Sequence, residues 1–395
     1  MLASRLSTIL RPRLRLAPLA VPRASNKFIL TKYPAFSTSI QRYDDQGSGR
    51  PKAAHPTKHE SRPVSSGEPV AENVKEDESK RAGIPEEPQD GAPPRSSSSS
   101  SFESEPDIPA PLAGLSAQDL FSLKDRTILI TGGGRGLGLT IAHACLESGA
   151  SVRCMDLLPE PSQPQWSKAE DLAKSKGLEI SYHKLDVTNE TQVNELFKEL
   201  FEMKQHNEKQ PIRGLFTSAG IQLMLPSLEF SSEKFQKVLN VNLTGTFLCA
   251  KAFANQWLEK NPKSANDGST GDSLNGASIA MTGSMSAHIA NLGITCAPYS
   301  ASKAGVNQLA RNLALEWSQK GIRVNTLSPG YIRTALTAAL LDEKPELEKI
   351  WLQGSLLGRL STPDEFRGPV IYLLSDASSF MTGSDLLVDG GHCAT

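Results

Sequence analysis

The strongest constraint on this chain is a run of small residues caught between an apolar strand and a helix. Residues 126–131, RTILIT, read as a β-strand. They lead into Thr131-Gly132-Gly133-Gly134-Arg135-Gly136-Leu137-Gly138, which runs straight into the helical pattern LTIAHACLESGA. Positions without side chains let backbone approach a pyrophosphate, and the helix N-terminus offers unpaired N–H groups and a favourable dipole. This order therefore predicts a dinucleotide-binding α/β unit. Asp156 ends a second β-branched run, 24 residues after Gly132, where a carboxylate accepts hydrogen bonds from the adenosine ribose hydroxyls. The same carboxylate repels a 2′-phosphate, so NAD is expected in preference to NADP. Arg135, a cation inside the turn, could pair with that phosphate and leaves NADP open.

From residue 116 onward, short β-branched runs alternate with longer helix-like segments. That texture belongs to a doubly wound parallel sheet with helices on both faces, the Rossmann class of α/β fold. Candidate strands are 126–131, 151–156, 179–187, 212–218, 277–283, 322–327 and 385–388, which make one domain of 116–395. The polar insert 259–276, EKNPKSANDGSTGDSLNG, reads as a surface loop. Residues 335–358 join a helix-like run to Gly354 and Gly358, and are expected to form a mobile substrate cover.

The first third of the chain has a different composition. Residues 1–43 hold eight basic residues and eight Ser/Thr, with no Asp or Glu before Asp44. Arginines and prolines interrupt every apolar stretch that could serve a secretory signal, so a mitochondrial transit peptide and a matrix location are expected. Residues 44–115 carry eleven prolines and the serine run Ser96 to Ser101, and are expected to be a disordered linker. No apolar run is long enough to span a membrane. A formal net charge of −1 removes any bulk electrostatic reason to seek nucleic acid. The five cysteines form no Cys-x-x-Cys pair, and no histidine has metal-ligand spacing, so neither a disulfide framework nor a metal centre is expected.

One further motif carries chemistry. Tyr299-Ser300-Ala301-Ser302-Lys303 begins a helical pattern, which puts Tyr299 and Lys303 on one face. A lysine ammonium beside a phenol favours the phenolate, and so makes a tyrosine usable as an acid/base near neutral pH. With Thr131, Gly132, Gly136 and Gly138 matching Thr-Gly-x-x-x-Gly-x-Gly and Tyr299 and Lys303 matching Tyr-x-x-x-Lys, the chain resembles the short-chain dehydrogenase/reductase family through its whole core.

The resemblance implies reversible oxidation of a secondary alcohol to a ketone, with Tyr299 as acid/base and Lys303 also holding the nicotinamide ribose. It implies a serine that hydrogen-bonds the reacting oxygen. Ungapped matching selects Ser284, fifteen residues before Tyr299, while Ser286 has the thirteen-residue spacing commoner in the family. It implies that Asn242 supports the lysine in a proton relay, and that Asp186 and Val187 meet the adenine. Ile332 and Thr334 would contact the nicotinamide carboxamide. Thr217-Ser218-Ala219-Gly220 departs from the usual Asn-Ala-Gly, with Ser218 offering one hydrogen bond near the adenine ribose. His288 is expected to be a solvated loop residue outside the chemistry. The stretches GSMSAHIAN and APYSASKAG look most like fungal polyol dehydrogenases and carbonyl reductases, implying a sugar alcohol or ketose such as D-arabinitol as small-molecule substrate. A mitochondrial 3-oxoacyl-carrier-protein reductase and a non-catalytic dinucleotide sensor or scaffold are the alternatives. Family likeness also implies a homotetramer or homodimer, with the last edge strand near a subunit contact.

Overall fold

Every strand expected from the sequence is present, and the way they pair decides where a ligand can sit. The computed structural model describes residues 114–203, 210–262, 276–334, 337–338, 341–342 and 344–394. The transit peptide expected at 1–43, nearly all of the 44–115 linker and the centre of the 259–276 insert lie outside the described residues.

Helix α1 (Ala117–Leu120) starts with a capping box between Ser116 and Asp119 and leads into β1 (Thr127–Thr131). Then come α2 (Gly136–Glu147), β2 (Ser151–Asp156), α3 (Gln165–Lys176), β3 (Ile180–Lys184) and α4 (Glu190–Glu202). The second half holds β4 (Ile212–Thr217), α5 (Ser232–Leu239), α6 (Gly245–Lys260), β5 (Ala277–Thr282), α7 (Ala297–Trp317), β6 (Ile322–Pro329), α8 (Pro345–Gly354), α9 (Arg367–Leu374) and β7 (Asp385–Val388). A π-helical turn, Asn240–Thr244, joins α5 to α6.

All strand pairs are parallel, in the order β3-β2-β1-β4-β5-β6-β7. The order reverses between β1 and β4, and the crevice at the carboxyl ends of the strands on either side is where such sheets bind ligands. Both faces are covered, which is why the strands read as continuous apolar runs. Leu129, Met155, Leu215, Ile279 and Val324 pack with α4, α6 and α7 on one face. Ile128, Ile130, Val152, Cys154, Phe216 and Leu327 pack with α2, α3 and α9 on the other.

Two boundaries differ from expectation by more than one residue. β3 stops at Lys184, three residues before the expected end, because the Asp186 carboxylate accepts from Thr188 N and Oγ1 at 2.9 and 2.7 Å and turns the chain. β6 continues to Pro329 because Ser328 and Pro329 pair with Leu387 and Val388 of β7. No helix among the described residues is long and apolar enough to cross a membrane.

Candidate active site

The glycine turn folds as its sequence demands. A Cβ on Gly138 would lie 2.1 Å from the Gly132 carbonyl oxygen, so only glycine lets α2 start this close to β1. Gly136 has nothing within 4 Å of where its Cβ would be, and needs glycine for its φ of +53° rather than for space. Arg135, exposed, occupies the N-cap of α2 but makes no capping hydrogen bond, so no side chain of its own takes the first N–H groups. An open backbone surface in front of an uncapped helix N-terminus fits a pyrophosphate. Leu137 packs against the apolar layer behind.

Asp156, Ser218 and Ala219 gather around this turn. Asp156 Oδ2 accepts from Gly134 N at 3.0 Å and Oδ1 from Leu158 N at 3.3 Å, which pins the carboxylate beside the turn. Ser218 N donates to Thr131 O at 3.0 Å, Ala219 N to Thr131 Oγ1 at 3.4 Å, and Gly132 backs onto the Ala219 backbone. Gly220 stands between Asn242 and Lys303: a Cβ there would be 3.4 Å from Asn242 Oδ1 and 3.9 Å from Lys303 Nζ. Asp186 lines a depression of about 530 Å³ with Leu157, Lys184, Gln192, Glu195 and Glu199, at the carboxyl ends of β2 and β3. Val187 is buried against Gly245 and shows little surface to that depression. Ile332 forms a bridge with Ser361, and the Thr334 hydroxyl is occupied in its own turn, accepting from Thr337 N at 3.2 Å.

Tyr299 and Lys303 occupy the first turns of α7, facing the end of β5. Lys303 Nζ lies 5.7 Å from the centre of the Tyr299 ring and donates to the Thr282 carbonyl at 2.7 Å. Burial pulls its ammonium down to about 8. Desolvation pushes the Tyr299 phenol up, while a hydrogen bond with Ser284 pulls it partly back. Burial thus opposes the charged form of both groups, a contribution that the Tyr-x-x-x-Lys spacing does not carry.

Of the two candidate serines, Ser284 is the one whose side chain bears on the Tyr299 phenol. It caps the short turn Met285–Ala287 by accepting from Ser286 N at 3.1 Å, and its Oγ lies 3.1 Å from Ser286 Oγ. His288 is exposed, as expected of a loop residue, and its Nε2 also lies 2.6 Å from Asp385 Oδ2.

Asn242 sits in the π turn with no exposed surface. Its Oδ1 accepts from Ile221 N at 2.8 Å, and its Nδ2 donates to Ile221 O at 2.9 Å and to Ser302 Oγ at 3.0 Å. Ser302 in turn donates to the Tyr299 carbonyl at 2.7 Å. Asn242 is therefore tied to the tyrosine turn through Ser302, a contact that sequence reasoning missed. A small residue between Tyr299 and Lys303 was the available signal, but only tertiary packing shows that it is buried toward Asn242.

Helix α8 lies within 335–358, the segment expected to cover the substrate. Trp351 stacks on Tyr331 with ring centres 4.1 Å apart, and Leu341, Leu347 and Trp351 make a small separate core. Burial raises the Tyr331 phenol to about 12. A cavity of about 200 Å³ opens beside the stack, lined by Leu292, Tyr331, Ile350, Gln353, Gly354 and His392. Five residues of 335–358 lie outside the described ones. No cluster among the described residues could hold a metal ion.

Known proteins resemble this arrangement over the whole core. A family profile described as Enoyl-(Acyl carrier protein) reductase matches residues 132–393. A protein of Aspergillus versicolor named short chain dehydrogenases/reductase notP′ is 47% identical over 284 residues, covering 71% of this chain and 91% of that protein. Sorbose reductase of Schizosaccharomyces pombe is 37% identical over 276 residues, 70% of this chain and 98% of that one. The ribulose-forming D-arabinitol 2-dehydrogenase of Candida tropicalis is 34% identical over 69% of this chain and 94% of its own. Among solved structures, a gluconate 5-dehydrogenase from Burkholderia cenocepacia, in complex with NADP and tartrate, superposes with a TM-score of 0.59 at 31% identity over 71% of this chain and 100% of that one.

Proposed function

This chain belongs to the short-chain dehydrogenase/reductase family, an NAD(P)-dependent oxidoreductase by that membership, and from this premise we propose that it interconverts a sugar alcohol and its ketose, such as D-arabinitol and the matching pentulose. The observation that carries the reaction class is the convergence of Ser284, Tyr299 and Lys303 at the carboxyl end of β5 beside the glycine turn. The fungal sorbose and D-arabinitol enzymes among its relatives support the substrate class.

When bound, the nicotinamide supplies or accepts the hydride. Everything else falls to the chain's own groups. The desolvated Tyr299 phenol is protonated at neutral pH and stands ready to give its proton to a ketone oxygen. Ser284, already bonded to that phenol, donates to the same oxygen and steadies charge developing on it. In the oxidative direction Tyr299 takes the hydroxyl proton, and Lys303 favours the phenolate when its ammonium is present. Asn242 and Ser302 hold the first turn of α7 in place.

Asp156, pinned beside the turn, and the acidic groups of the adenine-side depression support NAD over NADP. The acid-free, basic segment 1–43 supports import into the mitochondrial matrix, which a fluorescent fusion of the full chain tests. The exposed β7 edge supports association into a homodimer or homotetramer.

The substrate assignment is tested by turnover of the purified protein on C5 and C6 polyols, ketoses and a β-ketoacyl thioester with either cofactor. The polyol or ketose set should give the highest kcat/KM. Preferred turnover of the thioester would replace this reading with an acyl-carrier-protein reductase, and cofactor binding with no turnover on any of them would leave a sensor.

A further inference from the structure

A second polar cluster stands behind Ser284, and none of the steps above uses it. Asp385, the first residue of β7, has a side chain only 9% exposed, yet its carboxylate gathers donors from β6, α7 and the turn after β5. Thr326 Oγ1 and Ser328 Oγ donate to Oδ1 at 2.6 and 2.8 Å. Asn307 Nδ2 and His288 Nε2 reach Oδ2 at 3.1 and 2.6 Å. A carboxylate only accepts, so this contact fixes a proton on Nε2 of His288. Asn307 Nδ2, 3.3 Å from that nitrogen, therefore directs its hydrogens to Asp385 and to Ser328 Oγ at 3.4 Å. Asn307 Oδ1 is buried without a partner, and a Cβ on Gly283 would fall 2.4 Å from it. The chain can cross this amide immediately before Ser284 only because residue 283 has no side chain.

Location says what the cluster can do. Ser284 opens the short turn Met285–Ala287 and His288 closes it, so a clamp on His288 fixes the far end of the segment that carries the serine. Asn307 lies one helical turn beyond Lys303 and two beyond Tyr299 on α7. One carboxylate thus joins the serine turn, the tyrosine helix and the last strand. All four hydrogen bonds to this carboxylate are charge-assisted, and those from His288 Nε2 and Thr326 Oγ1 are the shortest, at 2.6 Å.

We propose that His288 and Asp385 are a positioning pair that holds the Ser284 turn against α7, so that the serine keeps its hydrogen bond to Tyr299 through proton transfer. This rests on Ser284 being the serine of the reaction. His288 touches neither Tyr299 nor Ser284 directly and acts through the turn it closes.

The test uses the full-length protein and reads kcat, KM and NADH affinity separately. His288→Ala removes a side chain that is one-third exposed, so the fold survives it. Its kcat should fall about ten-fold, as a small misplacement of a reacting group does, with NADH affinity and melting temperature unchanged. His288→Gln, whose amide can still donate to Asp385, should recover most of that loss. Asp385→Asn, the same shape without the charge, should reproduce it, with circular dichroism confirming a folded sheet. Ser284→Ala alone should lose about a hundred-fold, and adding His288→Ala should then cost nothing more, since no serine remains to be placed. An unchanged kcat in His288→Ala, beside an impaired Ser284→Ala, overturns the pair. So does a multiplied loss in the double variant, which would mean that His288 acts on the substrate itself. Full activity of Ser284→Ala removes the premise and the pair together, and its own rate distinguishes that result from the other two.

Discussion

Lys303 loses its water where it stands, and that alone pulls the ammonium from 10.5 to about 8. The sign of the consequence follows from proton counting. Between about pH 8 and 10.5 the unfolded chain binds this proton and the folded one does not, so rising pH stabilises the fold across that window. Below about 8 the full cost of burying the charge is present. Lys303→Met should therefore lose turnover while melting no lower than the parent at pH 7, and its advantage should shrink as pH rises from 8 toward 10.5. Melting curves of the cofactor-free proteins at pH 7 and 9.5 test this, and a gap that widens with pH would contradict it. Tyr299→Phe keeps the ring and deletes the proton. At least roughly two decades of turnover should disappear with NADH affinity intact, and stopped-flow measurement of hydride transfer in both directions would expose a surviving acid/base if one existed.

At the scale of the elements, the glycine turn and β2 form one device, since the Gly134 amide and the Asp156 carboxylate bond each other. Asp156→Ala removes both the ribose acceptor and this brace. Its kcat/KM with NAD should fall at least about ten-fold, by the loss of charge-assisted hydrogen bonds, while NADP suffers less. A parent protein that already prefers NADP would refute the NAD assignment. The turn, both ends of β2 and of β7, and the Tyr299–Lys303 face were legible in the sequence because each depends on neighbours a few residues away. The end of β3 was misjudged where a single aspartate turned the chain. The π turn at Asn242 and the Asp385 cluster left no local trace: the latter joins His288 to a residue 97 positions on, and only the sheet order brings them together. The choice between Ser284 and Ser286 was open for the same reason, because spacing cannot show which hydroxyl meets the phenol. Spacing places Lys303 on the Tyr299 face, but the burial that shifts both groups is not visible in a spacing rule.

For the molecule as a whole, β7 leaves one edge of a seven-stranded sheet unpaired, and Phe380, in the segment that leads into it, is fully exposed. Light scattering at micromolar concentration should give a dimer or tetramer, and Phe380→Glu should lower the mass without changing the circular dichroism spectrum. A monomeric, fully active parent would reject association. A different consequence follows from the two apolar layers that share the central strands. Ile128 and Ile130 belong to one layer and Leu129 to the other, so neither layer can open without stripping the strands that serve its partner. Slow amide exchange in β1, β4 and β5 should therefore report one common opening event, the unfolding of the entire sheet. The Trp351 cover, with its own small core, is exempt and can loosen by itself. On heating, the sheet should therefore surrender its nucleotide turn and its proton-transferring helix in one event, so that loss of NADH binding and loss of the folded sheet follow a single rate.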